Sequence, residues 1–538
     1  MRRIAFEEAD GMGRYLNPGN GMFQRSLDSE IYVDKSGLIA CTNRVLGGRE
    51  CYVCVSRPRR FGKSMTADML VAYYGRGCDS RGQFEGLSIA SDAGFERHLN
   101  AYDVLHFNMQ DFLSSSRGDV IAMLGNLDRA IEADLRGAYP DAFANGASIS
   151  VADELGDVFA RSGTSFVFVI DEWDCVFRAP GTTGDDQARY LDWLRLVLKD
   201  KPYVGLAYMT GILPIKKYGQ HSTLNMFTEV SMLDPRDYAQ FTGFTEDEVA
   251  GLCKRYEMSF DQTRYWYDGY DVDGVQTFNP RSVVMAMTGR RYRGYWTQTE
   301  TFEALRAYIG MNLDGLRDKV VRLIAGERIR VNAAKFQNDM TTFGSADDVL
   351  TLLVHLGYLT YRPGEYGLGD GEVWIPNSEI AGEFVSCAED KGWESTASAI
   401  RDSDELLQAL LTGEEDTVAR LVRRVHEDNT SVLAYNDENF LACVMSLALY
   451  AARRSCVLHR EFPSGKGFAD LVLAPRAGVD MPAVVIELKH GSTAQAALAQ
   501  IHERNYAAKL REEGHEVLLC GIAYDPKSKE HSCRIERE

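Results

Sequence analysis

The sequence predicts an α/β protein: a parallel sheet with helices on both faces, then a helical stretch, then a second and smaller α/β domain. Three observations predict it. Strand-like and helix-like runs alternate through the first block, the pattern of a parallel sheet whose crossovers are helices. Acidic residues stand on strand-like runs in two separate places, once at residue 171 and again at residues 470 and 487. The chain has 538 residues, beyond the size at which a single hydrophobic core keeps growing, so two or three domains are expected.

The first strand-like run covers residues 52–55, and a helix-like run over 65–70 follows it. Between them lies S-R-P-R-R-F-G-K-S at 56–64, which has the context of a phosphate-binding loop. Backbone N–H groups of such a turn face phosphates, Lys63 reaches the β and γ oxygens, and the Ser64 hydroxyl can ligate Mg²⁺. In the G-x-x-x-x-G-K-[ST] pattern the first glycine falls at Arg57, and an arginine before Pro58 cannot cheaply turn through positive φ. Taken alone, the tripeptide could be a chance helix start with a solvated basic turn.

The next elements weigh against chance. Strand-like 104–107 leads into helix-like 120–136, and F-V-F-V-I at 166–170 reads as a strand buried on both faces. That strand ends in Asp171-Glu172-Trp173-Asp174. An acidic pair there supplies the second half of a nucleotide site, with Asp171 holding the Mg²⁺ shell and Glu172 polarising the attacking water. A helix over 188–198 and a strand over 203–210 complete the alternation. Ligands of such sheets sit at the carboxyl ends of the strands, so Thr210 either senses the γ-phosphate or simply ends its strand. The expected ligands are ATP and Mg²⁺, held by Arg57, Arg59, Arg60, Gly62, Lys63, Ser64, Asp171 and Thr210. Arg59 and Arg60 have three readings: phosphate contacts in cis, arginine fingers across a homo-oligomer interface, or caps on surface carboxylates.

Composition sets the limits on class. A hydrophobic share of 45% and a charged share of 25% are those of a soluble globular chain. The formal charge of −19 argues against a surface coated in basic groups for nonspecific nucleic-acid binding, yet leaves room for a local basic groove. Residues 1–8 turn acidic before an apolar leader can form, and no later run approaches a membrane span, so a cytoplasmic location without a membrane partner is expected. Most of the eleven cysteines lie singly in apolar runs, as Cys253, Cys443 and Cys520 do, which reads as core thiols in a reducing compartment. Cys51-x-x-Cys54 has metal-like spacing but lacks a second pair.

Residues 236–313 read as a small helical lid. Thr245 and Glu248 make a capping box there, and the Trp266, Tyr267 and Tyr270 cluster reads as packing. Residues 314–401 read as a helical connector, with Ser345 as N-cap of the apolar run at 348–354 and a glycine-rich turn between short strands at 364–371. No chemistry is legible in that connector.

The last block, 402–538, carries its own constellation. One strand, 468–473, holds Asp470; another, 483–489, holds Glu487 and Lys489, which share a face because side chains alternate along a strand. Asp470 and Glu487 would hold Mg²⁺, and Lys489 would orient the attacking water, as phosphodiester cleavage requires. The order around them is helix 438–451, a strand through Glu461, the two acid-bearing strands, helix 493–510 and strand 517–524. Glu461 is a further candidate carboxylate and Glu438 a weaker one.

R-P-R-R-F-G-K-S, I-D-E-W-D, G-F-T-x-x-E-V, W-Y-D-G-Y and N-P-R-S-V together resemble a bacterial family of AAA-ATPase-like proteins that carry a C-terminal PD-(D/E)XK nuclease-like domain. The resemblance spans nearly the whole chain. It implies a P-loop NTPase core over 1–235, the lid, the connector, and an αβββαβ restriction-endonuclease-like domain over 402–538. It makes arginine at position 57 a family trait, and it brings Gln500 and Tyr506 to the second site. The implied function is ATP binding and hydrolysis controlling a Mg²⁺-dependent nuclease that acts on DNA, with Glu172, Asp470, Glu487 and Lys489 catalytic. The chain departs from the family at Phe468, where relatives often place arginine in G-R-x-D. The alternative is a nucleotide-dependent switch or scaffold whose C-terminal domain binds nucleic acid or a protein without cutting.

Overall fold

The structure is a computed structural model that describes residues 13–143, 149–215, 224–296, 300–336, 343–365, 369–390, 393–429 and 438–538. The reading of residues 1–8 lies outside these. The chain forms two compact units, one of residues 1–296 with 330–377 and one of 297–329 with 378–538. The stretch 314–401, expected as one connector, is thus shared between them.

The first unit is built on a five-stranded parallel sheet of β1 (Tyr52–Ser56), β2 (Asp103–Asn108), β3 (Phe166–Asp171), β4 (Val204–Gly211) and β5 (Thr228–Val230), in the order β2-β3-β4-β1-β5. Every residue of β1, β3 and β4 is buried, because helices cover both faces of the sheet. One face packs Leu105, Phe107, Phe168 and Ile170 against the helices Val120–Ala138 and Gly184–Leu198. The other packs Val53, Val55, Val167, Val169 and Tyr208 against the helix Lys63–Tyr74. Alternation along β3 and β4 therefore carries Asp171 and Thr210 onto the Lys63–Tyr74 face, at the carboxyl ends of their strands.

The lid region holds the helices Glu246–Tyr256, Phe260–Tyr267 and Pro280–Gly289, with the capping box of Thr245 and Glu248 in place. It is not purely helical. β6 (Phe244–Thr245), β7 (Tyr270–Val272) and β8 (Val275–Phe278) form an antiparallel sheet in the order β6-β8-β7. The β7–β8 hairpin turns through Asp273 and Gly274 at φ 53° and 80°, the double positive φ that a two-residue loop requires. A further sheet joins β9 (Ile329–Asn332), β10 (Thr360–Pro363) and β11 (Asp370–Trp374) in the order β10-β11-β9. Beside it runs the helix Ala346–Leu356, capped by Ser345 and Asp348.

The second unit carries a mixed sheet of β12 (Cys456–Ser464), β13 (Gly467–Pro475), β14 (Ala483–His490), β15 (Val517–Asp525) and β16 (Glu530–Arg537), in sequence order. All neighbours are antiparallel except β14 and β15. The helix Glu438–Ala448 precedes the sheet, and the β14–β15 crossover is helical, so the αβββαβ order is present with β16 added. The crossover is broken into Ala494–Arg504 and Ala508–Glu512, because Asn505 takes the left-handed conformation at φ 54°. Leu498, Ile501 and Tyr506 from it pack on Val472 and Val485 of the sheet. Among the described residues, no helix is long and apolar enough to cross a membrane.

Candidate active sites

β1 delivers the chain into loop 57–62, whose left-handed turns fall at Arg60 (φ 68°) and Gly62 (φ 87°). Arg57 needs no positive φ. Its N–H donates to the Gly211 carbonyl at 3.0 Å, extending the pairing of β1 with β4 by one residue. Its side chain turns inward and is 1% exposed; Nη1 donates to the Ser56 carbonyl at 3.0 Å, while Nε and Nη2 have no partner. Burial brings the pKa of this guanidinium down to about 10.

Lys63 opens the helix and is itself buried, with Nζ donating to the carbonyls of Arg57 and Pro58 at 3.0 Å each. Burial lowers its pKa, against the pull of Glu172 and Asp171. One residue on, Ser64 Oγ donates to Asp171 Oδ2 at 2.6 Å, and Thr210 Oγ1 donates to Asp171 Oδ1. Asp171 is therefore held from both sides by hydroxyls. Glu172, at φ 53°, pairs with Arg178, and burial pushes its carboxyl up while Lys63 and Arg178 oppose the shift. Arg178 also holds Asp174 at 3.1 Å. Asp174, fully buried, accepts the N–H groups of Ile212 and Leu213 at 3.1 and 2.8 Å and so ties the end of β3 to the end of β4. It stood in the I-D-E-W-D motif without a role.

A cavity of about 880 Å³ opens over this loop. Arg59, Arg60, Gly62, Lys63, Ser64 and Glu172 line it, with Asp171 and Thr210 behind Ser64 and Arg57 beneath the loop. Phe23, Ile31, Tyr32, Phe241 and Phe244 also line it and make part of its surface apolar. Its volume lies in the range of small-molecule sites. Two lining residues carry chemistry that the sequence reading left unassigned. Asp68, one helical turn after Ser64, has its pKa pushed up to about 6 by burial and then by the charge of Asp171; the i, i+4 spacing was its signal. Arg281, just inside the helix Pro280–Gly289, is exposed into the cavity.

The second unit brings its predicted residues together at the β13–β14 junction. Asp470 Oδ2 accepts the Leu488 N–H at 2.7 Å. Glu487 is 1% exposed; its Oε1 accepts Lys489 Nζ at 2.9 Å and Gln500 Nε2, while its Oε2 is buried without a partner. Burial, and then Asp470, push the Glu487 carboxyl up to about 7, with Lys489 opposing. Lys489 also donates to the Leu488 carbonyl at 3.1 Å, and Gln500 reaches the Tyr506 hydroxyl at 3.4 Å. Glu461 lies across from Asp470 at φ 48° with an exposed side chain. The Glu438 side chain lies outside the described residues. Phe468 is 62% exposed.

Both donor sets consist of oxygens and suit a hard cation such as Mg²⁺. In the first unit they are the Ser64 hydroxyl and the Asp171 carboxylate; in the second, Asp470 and the unpartnered Oε2 of Glu487. Among the described residues no three His, Cys, Asp or Glu side chains converge as a metal site, so a cation in the second set would take its remaining ligands from water or phosphate.

Comparison with known proteins matches residues 23–220 to the family described as predicted AAA-ATPase, and residues 436–532 to the PD-(D/E)XK nuclease superfamily. The chain joins an AAA-ATPase-like domain to a PD-(D/E)XK nuclease-like domain. The first match contains the loop, Asp171, Glu172 and Thr210; the second contains Asp470, Glu487, Lys489, Gln500 and Tyr506. A curated relative, described as an uncharacterized protein in the vnfD 5′ region of Azotobacter chroococcum mcd 1, is 24% identical over 523 residues, covering 94% of this chain and 95% of that one. Two solved structures each cover 70% of this chain and 98% of their own. They are Aeropyrum pernix ORC2 in ADPNP–ADP complexes, at 13% identity and TM-score 0.32, and A. pernix ORC1 in complex with DNA, at 12% and 0.24. Both TM-scores are too low to argue a shared fold.

Proposed function

We propose that the AAA-ATPase-like domain binds and hydrolyses ATP with Mg²⁺, that the PD-(D/E)XK-like domain is a Mg²⁺-dependent nuclease acting on DNA, and that nucleotide state controls cutting. The observation that carries the first part is Ser64 at the mouth of an 880 Å³ cavity, bonded to Asp171 while Lys63 lies beside it. Lys63 would exchange its two carbonyl partners for phosphate oxygens, Ser64 and Asp171 would hold the cation, and Thr210 would keep Asp171 in place. Arg59, Arg60 and Arg281 line the cavity and would offset phosphate charge, in cis or, for Arg59 and Arg60, across a homo-oligomer interface. Glu172 would orient the attacking water once free of Arg178.

The second part is supported by the Glu487 oxygen that is buried without a partner, next to Asp470 and Lys489. A bound Mg²⁺ would acidify a water and neutralise the scissile phosphate. The chain's own residues would hold that cation through Asp470 and Glu487, orient the water with Lys489, and fix Glu487 through Gln500 and Tyr506. The eleven cysteines are free thiols, which suits a reducing cytoplasm.

The test is cleavage of supercoiled, linear and single-stranded DNA with Mg²⁺ or Mn²⁺, with and without ATP, beside Lys489→Ala and Lys63→Ala. Cleavage that requires metal and Lys489 and responds to ATP only when Lys63 is present supports all three parts. Full cutting by Lys63→Ala without ATP removes the coupling, and no cutting on any substrate removes the nuclease. A second reading, a nucleotide switch with slow or absent turnover, draws on one observation: Arg178 occupies the carboxylate that hydrolysis would need. Tight ATP binding without phosphate release would favour it.

A further inference from the structure

In a chain of charge −19, many exposed arginines pair with carboxylates, as Arg81 does with Glu96, Arg420 with Glu405, Arg423 with Glu427 and Arg534 with Glu415. The segment after the helix Pro280–Gly289 instead concentrates three arginines within four residues. Arg290, Arg291 and Arg293 are all exposed, and among the described residues no carboxylate pairs with any of them. Arg291 and Arg293 border a depression of about 310 Å³ that Thr288, Gly289 and Tyr295 also line, and Arg290 lies next to Arg291 in the chain. The Arg293 guanidinium stands 4.9 Å from the centre of the Tyr295 ring.

The backbone that carries these cations is fixed. Arg290 closes the helix at φ 49°, the Tyr292 hydroxyl donates to the Ser259 carbonyl at 2.8 Å, and the Tyr295 hydroxyl donates to the Arg291 carbonyl at 2.9 Å. Tyr267 grips Arg293 twice, donating to its carbonyl at 2.9 Å and accepting its N–H at 3.2 Å. Arg60 of the phosphate loop donates to the Tyr295 carbonyl at 2.8 Å. Three charged side chains on a pinned segment lose little backbone freedom when they engage a ligand.

We propose that Arg290, Arg291 and Arg293 form a contact surface for the DNA phosphate backbone, deepening the reading above that the protein acts on DNA. Guanidinium groups match phosphate oxygens two at a time, and a row of them neutralises a linear polyanion by releasing its counterions. A membrane surface fits less well, because none of the large exposed apolar side chains lies on this segment. The surface belongs to the first unit and uses neither Lys489 nor the cavity residues, so it is testable apart from cleavage.

Full-length protein in EDTA is titrated against a fluorescein-labelled duplex at several salt concentrations, with Arg290→Ala/Arg291→Ala/Arg293→Ala and, should the triple variant fold poorly, the single Arg291→Glu. The triple variant is expected to lose at least about tenfold in affinity and to lower the slope of log K against log salt by about 2–3, roughly one per phosphate contact. Fluorescent-ATP binding and melting temperature stay at wild-type values. Wild-type affinity and slope in both variants overturn the proposal, as does absence of duplex binding by the wild type. Polyglutamate bound as tightly as DNA, and released by the same variants, would also overturn it in favour of an acidic polypeptide. Lys489→Ala separates the two readings: loss of cutting with binding intact leaves this surface standing, and absence of any cutting by the wild type leaves the binding result readable.

Discussion

Replacing Glu487 by glutamine should stabilise the metal-free protein at pH 8 and leave it nearly unchanged at pH 5. The Glu487 carboxyl is 1% exposed, and its pKa is pushed from 4.5 to about 7. A pKa raised in the folded state means that the protonated form is favoured there. Its stabilising contribution is full below about 4.5 and is lost as pH rises through about 7. A shift of that size corresponds to about 3 kcal/mol at the alkaline end. At pH 5 a protonated Glu487 and a glutamine are nearly isosteric and both accept from Gln500, so the variants converge. The second unit has a size for which about 3 kcal/mol moves the melting temperature by roughly 6–12 °C. Thermal unfolding in EDTA at the two pH values, followed by the same scans with excess Mg²⁺, reads the effect. Mg²⁺ should restore the wild type at pH 8 and do little for the variant, since a bound cation repays the buried charge only where the charge exists. An equal difference between the two proteins at both pH values would refute the reasoning.

Two further outcomes follow from the first unit. Arg178→Ala leaves Asp174 buried without its cation and should cost about 3 kcal/mol, seen as a lower denaturation midpoint; an unchanged midpoint would mean that the N–H groups of Ile212 and Leu213 suffice. Asp68→Asn should stabilise the ATP-free protein by up to about 2 kcal/mol above pH 6, after allowance for screening of a partly exposed group, and not at pH 4. The sign is that of Glu487: a raised carboxyl stabilises below its unfolded pKa and loses that contribution through about 6. A gain that is the same at both pH values would remove the charge as its cause.

What was legible in the sequence is what local pattern encodes. β1 with loop 57–62, β3 with Asp171 and the Glu487-x-Lys489 strand each join a periodic apolar run to a charged end, and the structure places their residues within bonding distance. What was lost was decided by contacts distant in sequence or by single backbone angles. β5 is only T-E-V and becomes a strand because β1 offers it a parallel edge. Asn505 breaks a helix whose apolar periodicity runs on past it. The β7–β8 hairpin did carry a readable signal, Asp273-Gly274 between two short apolar runs, which the helical reading of the lid passed over.

At Arg57 the backbone absorbs the departure from the glycine pattern. A missing first glycine suggests a turn that cannot form, yet the loop places its positive φ at Arg60 and Gly62, and Arg60 alone bears the cost of the left-handed region, about 1–2 kcal/mol for a residue with a Cβ. Arg57 is thereby free to follow β1 inward, where it becomes a buried cation with two unpaired nitrogens. Lys63 is buried in the same loop, and burial lowers the pKa of both. Burial thus holds two cations of this loop below their ordinary pKa values, with carbonyls as the bonded partners of each, even though Glu172 and Asp171 pull Lys63 the other way. A polyphosphate arriving over Gly62 would lower the energy of both at once, directly at Lys63 and through the field at Arg57, so the arginine would strengthen anion capture without touching the anion.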